Sequence, residues 1–551
     1  MRDGMPRDRT PRRSFIRGLA AGALAVPAGA LAAGAFPGRA SEADAPLLET
    51  PAEPTPNYVF NVLDFGAVGD GKAPATRAIQ AAIDACGKAG GGKVVVPPGK
   101  YLTAPLFLKS HMQLEVMAGA TLLGTTNFAD YPAIQGRWEG INRTVYASLI
   151  TGFDLENVSV TGGGTLEGQG PIWWDVQHKI NAARRQMGLG AREPENPSGS
   201  ELKWPRPRMI NIYRSRNVRI SDVTIQNSPS WTVHPVLCED VWIEGIRILS
   251  PRDALNTDGI DPDSCRNVRI SDCYISTGDD CVVIKSGYRY QPGNPYPASE
   301  NIVVSNCVFG FGHGGVVIGS ETAGGVRNVA ASNCVCDGTR RGLYFKTARG
   351  RGNVIENVRA VNFVMRNIVD TAVLVSMFYT SADRNKAMPL DEFTPTMRNI
   401  HCGQITIHGA KRSVVIEGLP ENPIQSLGLN DVRIISAETG VQCSGVRGMT
   451  FENVVANPDS GAPVSLANVR DVELLRVRTE KPDPTQPVIR MERVQNAVVQ
   501  SCSSVEGSPA LLEVKGAENK GISLALNRVP KGMKEVAFMD GAAEDAVLRR
   551  V

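Results

Sequence analysis

At 551 residues the chain is long enough for two to four ordinary domains, or for one solenoid around a continuous core. With 42% hydrophobic and 21% charged residues the composition excludes general disorder, and 56 Gly with 36 Pro point to many turns. The first 35 residues hold six Arg and two Asp, so without them the formal charge falls from +3 by 4 to −1, and the sequence pI of 8.2 gives no basis for expecting nucleic-acid or membrane binding.

Arg12-Arg13-Ser14-Phe15-Ile16-Arg17 stands directly before an Ala/Gly/Leu run from Gly18 to Ala35. A twin-arginine pair, an apolar stretch and small-residue sites such as Ala33-Gly34-Ala35 read as a Tat-type signal over residues 1–35. The run is only weakly hydrophobic, which favours cleavage over a stable membrane anchor. The Tat translocon is the expected partner during export, and the periplasm or the exterior the expected location. Residues 36–56, rich in Pro, Glu and Ala, read as a linker, and order is expected from Asn57.

Apolar residues at Ala78, Ile79, Ala82, Ile83 and Cys86 recur at helical spacing over Thr76 to Lys88, and Gly90-Gly91-Gly92 ends the pattern. This one amphipathic helix is placed to cap the open end of a sheet. Further along, Asn or Asp followed by a β-branched residue repeats: Asn157-Val158, Asn217-Val218, Asp240-Val241, Asn267-Val268, Asn301-Ile302, Asn328-Val329, Asn357-Val358 and Asn399-Ile400. From Asn217 to Asn357 the interval is 23 to 34 residues, too short for a unit to bury its own face, and no helical segment of crossover length intervenes. The expected fold is all-β, a single-stranded parallel β-helix with a short N-terminal capping helix, spanning 57–530 and followed by a C-terminal tail over 531–551. A β-propeller is the alternative architecture, but its blades need about 40 to 45 residues each.

The eleven Cys show no zinc spacing, and Cys265, Cys273, Cys281 and Cys307 read as small buried residues rather than a disulfide framework. No metal site and no cofactor is indicated. Chemistry concentrates in three consecutive units: Asn256-Thr257-Asp258-Gly259-Ile260-Asp261, Gly278-Asp279-Asp280-Cys281 and Gly312-His313-Gly314-Gly315. Asp258 and Asp279 lie 21 residues apart, which suggests equivalent places on neighbouring coils. Taken singly, each is an ordinary turn motif, but stacked coils gather them into one patch of like charge, in which carboxyls raise one another's pKa. Glycoside hydrolysis needs that division between a protonated acid and an ionised carboxylate.

These residues resemble the N-T-D, [GQ]-D-D and G-H-G motifs of glycoside hydrolase family 28, the polygalacturonases. Arg341-Gly342-Leu343-Tyr344-Phe345-Lys346-Thr347 stands where that family carries its R-I-K segment, and the resemblance runs from about Asn57, through Asp64-Phe65-Gly66-Ala67, to at least Tyr379. It implies a right-handed coil and an inverting hydrolase of pectic polysaccharide or oligogalacturonide. Asp279 is then the general acid. Asp258 and Asp280 hold and activate water, with carboxyl groups about 6.5–9.5 Å apart. His313 hydrogen-bonds the carboxylate group, Lys346 binds the sugar carboxylate, and Asn256 belongs to the binding set.

The sequence departs from the family at Tyr344, where a planar arginine clamp for a uronate is absent. Arg340, Arg341, Arg349 and Arg351 are nearby cations that could replace it, Arg341 being placed in the substrate-binding set with Tyr344, and rhamnogalacturonan or xylogalacturonan are alternative substrates. An insertion runs from Pro171-Ile172-Trp173-Trp174-Asp175 to Trp204-Pro205-Arg206-Pro207-Arg208 and is similar to bacterial exo-acting members. There Trp173 and Trp174 are expected to stack on sugar rings while the loop blocks one end of a cleft; the opposing reading has them pinning the loop to the solenoid. Other readings are a calcium-dependent lyase on the same fold, through oxygen ligation by the acids, and a non-catalytic carbohydrate-binding β-helix.

Overall fold

The computed structural model describes residues 58–188, 202–289, 296–379, 383–384 and 386–550. The expected signal over 1–35, the linker over 36–56 and the middle of the insertion, 189–201, lie outside the described residues. No helix among them is long and apolar enough to cross a membrane.

The chain winds as a right-handed parallel β-helix. One ladder of inward side chains runs Met112, Val158, Val218, Val241, Val268, Ile302, Val329, Val358, Ile400 and Leu427, each paired in parallel register with the next. Because side chains alternate across a strand, every second residue enters this column, and a one-residue slip would turn it outward. The column is dry and continuous from Val62 to Val547.

The Asn and Asp that mark each repeat adopt the left-handed backbone region, with φ between 51° and 60° at Asn157, Asn217, Asp240, Asn267, Asn301, Asn328, Asn357 and Asn399. Their short polar side chains tolerate that conformation and bond the coil below. Asn267 donates to Asp240 at 3.0 Å, Asn301 to Asn267 at 3.0 Å and Asn328 to Asn301 at 3.1 Å. The repeat visible in the sequence is thus the turn ladder of the solenoid.

Helix α1 occupies Thr76–Lys88 and buries Ile79, Ala82, Ile83 and Cys86 over the first coil, the role expected of it. Helix α2, Pro171–Gln186, begins with proline at its first turn, where no backbone donor is lost. At the other end the expected tail is absent: Lys534–Met539 pairs with Ala510–Lys515, and Val547–Arg550 pairs with Lys520–Ala525. The short apolar run Val536-Ala537-Phe538 alternates weakly, yet it finds a ready edge in the preceding coil. All eleven cysteines are free and buried.

One face carries the short strands Ile150–Phe153, Ile210–Tyr213, Val233–Val236, the bridge at Ile260, then Val282–Ile284, Val316–Ile318 and Arg341–Lys346. Each motif of the sequence immediately precedes or occupies one of these strands.

Candidate active site

The register decides which motif residues meet. Ile260 pairs with Val282 and Val282 with Val316, so offsets of 22 and 34 residues hold along this face. Gly259 N–H donates to Asp280 O at 2.9 Å, and Cys281 N–H to Gly314 O at 2.8 Å. Asp258 therefore matches Asp280 and Gly314, while Asp279 matches His313. The sequence pairing of Asp258 with Asp279 is corrected by one residue. Gly314 is required there, because a Cβ would lie 3.3 Å from Asp280 Oδ1 and 2.4 Å from the Val317 side chain. At Gly278 a Cβ would meet Ala254 O at 2.1 Å, which explains the glycine before the acid pair.

One oxygen from each of Asp258, Asp279 and Asp280 lies within 4.8 Å of the others. This cluster is tighter than the about 6.5–9.5 Å separation expected of an inverting pair. The cause is the register: Asp258 and Asp280 occupy matching rows of adjacent coils, and Asp279 is the next residue in the chain. The three acids are distinguished by their partners instead. Asp279 keeps 20% of its side chain exposed against 5% for Asp258 and 3% for Asp280, so it faces the cleft. Its Oδ1 lies 2.9 Å from His313 Nδ1.

Asp280 Oδ2 accepts from Lys346 Nζ at 2.8 Å. Asp258 Oδ2 lies 3.5 Å from Lys285 Nζ, which stands at the same distance from Asp261 and Glu321. The remaining oxygens, Oδ1 of Asp258 and Oδ1 of Asp280, are buried and receive no donor from the described protein groups.

Burial, then Asp279 and Asp261, push the Asp258 carboxyl well above its ordinary range, while Lys285 opposes them. Burial also raises Asp279, but the hydrogen bond and charge of His313 outweigh it and bring that carboxyl below its usual value. The same bond holds the His313 imidazole above its ordinary value. The Asp279–His313 contact is short enough for a proton to pass between the nitrogen and the oxygen. Three clustered carboxylates are also a cation-binding pattern, but the ammonium groups of Lys285 and Lys346 already stand where a cation would neutralise Asp258 and Asp280.

Lys346 lies over the rings of Tyr344 and Tyr379, 4.4 and 5.1 Å from their centroids. Tyr344, in the departing position, belongs to an outward apolar row with Val283, Val317, Leu374 and Val415. Arg341 stacks on Tyr344 at 4.4 Å and pairs with Asp370 at 2.9 Å. Of the other cations weighed, Arg349 is committed to Glu421 at 2.6 Å and Arg351 is buried against Tyr288. Asn256 is held from below, its Oδ1 accepting from Arg206 Nη2 at 2.8 Å.

Trp173 and Trp174 do not join the site. Trp173 is fully buried against Phe128, Tyr131 and Tyr146, with ring centroids 4.2, 5.1 and 5.9 Å away. Trp174 donates its indole N–H to Ser228 O at 3.0 Å. Trp173 pins α2 to the hairpin that contains Tyr146 and to the turn before it, and Trp174 pins it to the solenoid, as large rings with one polar edge commonly do. The aromatics near the acids are instead Trp231, 4.5 Å from Lys285 Nζ, and Trp138, stacked on Trp231 at 5.0 Å. Trp138 ends one strand of a hairpin, Ala133–Trp138 with Ile141–Tyr146, whose tip accepts a bond at Gly140 O from Tyr288 N–H at 3.3 Å. Arg137 of this hairpin reaches Asp263 at 2.8 Å with both groups buried, so the hairpin is fastened to the segment just after Asp258.

The sequence profile of glycosyl hydrolases family 28 matches residues 86–456. The chain belongs to this family. It is 32% identical to a probable polygalacturonase of Vitis vinifera over 421 residues, 73% of this chain and 80% of that protein. It is 30% identical to an exo-poly-alpha-D-galacturonosidase of Dickeya chrysanthemi over 61% of this chain and 59% of that one. Among solved structures, a hyperthermoactive exopolygalacturonase of Thermotoga maritima superposes with a TM-score of 0.60 at 32% identity, covering 72% of this chain and 91% of that one. Family 28 membership makes this chain a glycoside hydrolase acting on O-glycosyl bonds, with pectic polysaccharide as its substrate class. It also retires the propeller, lyase and binding-module readings.

Sequence reasoning missed Lys285, Glu321, Arg206 and Trp231 as site residues, and it read Asp261 only as part of the Asn256–Asp261 unit. For Lys285 a signal existed, a charged residue closing the apolar strand Val282-Val283-Ile284. The others carry none, because only the coil stacking brings them under Asp258.

Proposed function

We propose that the protein is an exported exo-acting hydrolase that removes galacturonic-acid units from the end of a pectic chain with inversion. The observation that carries the mechanism is the cluster of Asp258, Asp279 and Asp280, one oxygen of each within 4.8 Å of the others, with His313 2.9 Å from Asp279. A water held by the carboxylates of Asp258 and Asp280 is activated as the nucleophile, and Asp279 delivers a proton, shared with His313, to the departing glycosidic oxygen. Water supplies hydroxyl to the anomeric carbon as the carbon–oxygen bond breaks, and its proton passes to the Asp258–Asp280 side. Lys346, on the cleft side of Asp280, is the ammonium for the sugar carboxylate.

Exo-action is supported by the hairpin fastened to Asp263 and Tyr288 on the coils that carry the acids, which offers a wall beside them. The exo-poly-alpha-D-galacturonosidase of Dickeya chrysanthemi, to which the chain is similar, agrees with it. The twin-arginine leader supports export through the Tat translocon to the periplasm or beyond.

The test incubates purified protein with polygalacturonate, galacturonide oligomers and rhamnogalacturonan, following reducing ends, ultraviolet absorbance and product length together. Exo-hydrolysis gives reducing ends without absorbance and short products from the first minutes. Proton NMR of the first product gives the anomer opposite to that of the bond cleaved. A ladder of intermediate lengths removes the exo assignment, and a retained anomer removes the water-activating role of the two aspartates.

A further inference from the structure

Lys285 Nζ stands 3.5 Å from an oxygen of each of Asp258, Asp261 and Glu321, and all four side chains are buried. The indole of Trp231 covers it at 4.5 Å. Among the described residues it is the one cation within ion-pair distance of Asp258. Arg206, another cation that feels the charge of Asp258, directs its Nη1 and Nη2 donors to Pro229 O, Leu255 O and Asn256 Oδ1. Lys346, on the same row of outward side chains two coils further along, faces a single carboxylate, Asp280. The two lysines are therefore not equivalent: Lys346 retains capacity for a substrate carboxylate, whereas Lys285 is saturated by three carboxyl groups and repels none of its own.

We infer that Lys285 is a positioning residue for hydrolysis, the counter-ion that orients Asp258 and sets the pH at which it becomes a base, with Glu321 and Asp261 fixing the ammonium in place. The inference rests on the water-activating role proposed for Asp258. Its supporting geometry is one-sided: Asp279, Asp280 and Asp261 all face Asp258 with like charge or its potential, and Lys285 alone opposes them in contact. Burial pushes Asp261 up to about 8, and Glu321 shares the ammonium with Asp258 at 3.5 Å.

Two substitutions move Asp258 in opposite directions. In Lys285→Met the base is harder to ionise, so the acid limb of the kcat/KM profile moves to higher pH by about one unit or more, the shift a close opposite charge produces. In Glu321→Gln the ammonium is released to Asp258, and the acid limb moves to lower pH. A general structural weakening moves neither limb in this signed way. The same variants are titrated by difference infrared spectroscopy on the whole protein, where the protonated-carboxyl band grows in at higher pH for Lys285→Met and at lower pH for Glu321→Gln. That reading needs no turnover, so a wild type that cleaves no galacturonide defeats the proposed function while the inference is still decided. Limbs and band positions that coincide with the wild type overturn it, as does a Lys285→Met variant that raises KM alone. If Lys285→Met does not fold, the direction of the Glu321→Gln shift decides.

Discussion

Lys346 Nζ lies 2.8 Å from Asp280 Oδ2 and at the same time over the faces of Tyr344 and Tyr379, so one ammonium serves a catalytic carboxylate and two rings. Burial works against its charge, but Asp280 and the two phenols hold its pKa above the ordinary lysine value. It stays charged across the working range. Lys346→Met is expected to lower kcat/KM on galacturonide oligomers by about tenfold to a hundredfold, the worth of a charge-assisted bond. Steady-state kinetics check it, and an unchanged kcat/KM places the sugar carboxylate elsewhere.

The Asp279–His313 contact makes a prediction on the alkaline side. His313 is held above its ordinary value, so the pair keeps its proton below that raised pKa and loses it as pH rises through it. Activity should fall there, because Asp279 then has nothing to donate. Asp279→Asn is expected to lower kcat by about a hundredfold to ten-thousandfold. His313→Ala should draw the alkaline limb to lower pH by about one unit. A pH–rate profile with the limb unmoved in His313→Ala separates the imidazole from the proton.

Trp173 tests the corrected role of the insertion. Its ring fills the contact of α2 with Phe128, Tyr131 and Tyr146, so Trp173→Ala should destabilise that unit by about 3–5 kcal/mol. Thermal unfolding reads the loss. KM for a short oligomer, measured below the melting range, should change by less than about threefold, within the error of a residue with no ligand contact. A large rise in KM with stability intact returns Trp173 to the cleft.

The hairpin tether carries its own pH dependence. Burial raises Asp263, but Arg137 and His234 outweigh it and place its carboxyl below the ordinary range, while burial presses His234 down to about 3, leaving that ring neutral near pH 7. A depressed carboxyl contributes stability that is complete above its unfolded value, near ~3.9, and is lost as pH falls through the folded value. Arg137→Ala leaves a buried carboxylate unpaired and should cost about 3–5 kcal/mol. It should also lengthen the products from polygalacturonate, resolved by chromatography, if the hairpin closes the cleft. Unchanged product lengths assign the end of the cleft to another segment.

Much of this protein was written in its sequence. The Asn and Asp repeat marks the coil, because short polar residues sit at ease in a left-handed turn and ladder to the next; the helix over Thr76–Lys88 declares itself by its apolar spacing. Asp258, Asp279, Asp280, His313 and Lys346 are legible for a similar reason, since tight turns before parallel strands are where polar residues of a solenoid stand out. The tertiary structure alone decided the rest. Coils of unequal length set the register that matches Asp258 to Asp280 and Asp279 to His313, and no spacing rule counts residues through an insertion. It also decided that Trp173 is buried, that the chain end is a coil and that Lys285 sits among three acids. Each depends on which side of a strand meets which neighbour about 4.8 Å away, a relation between residues distant in the chain.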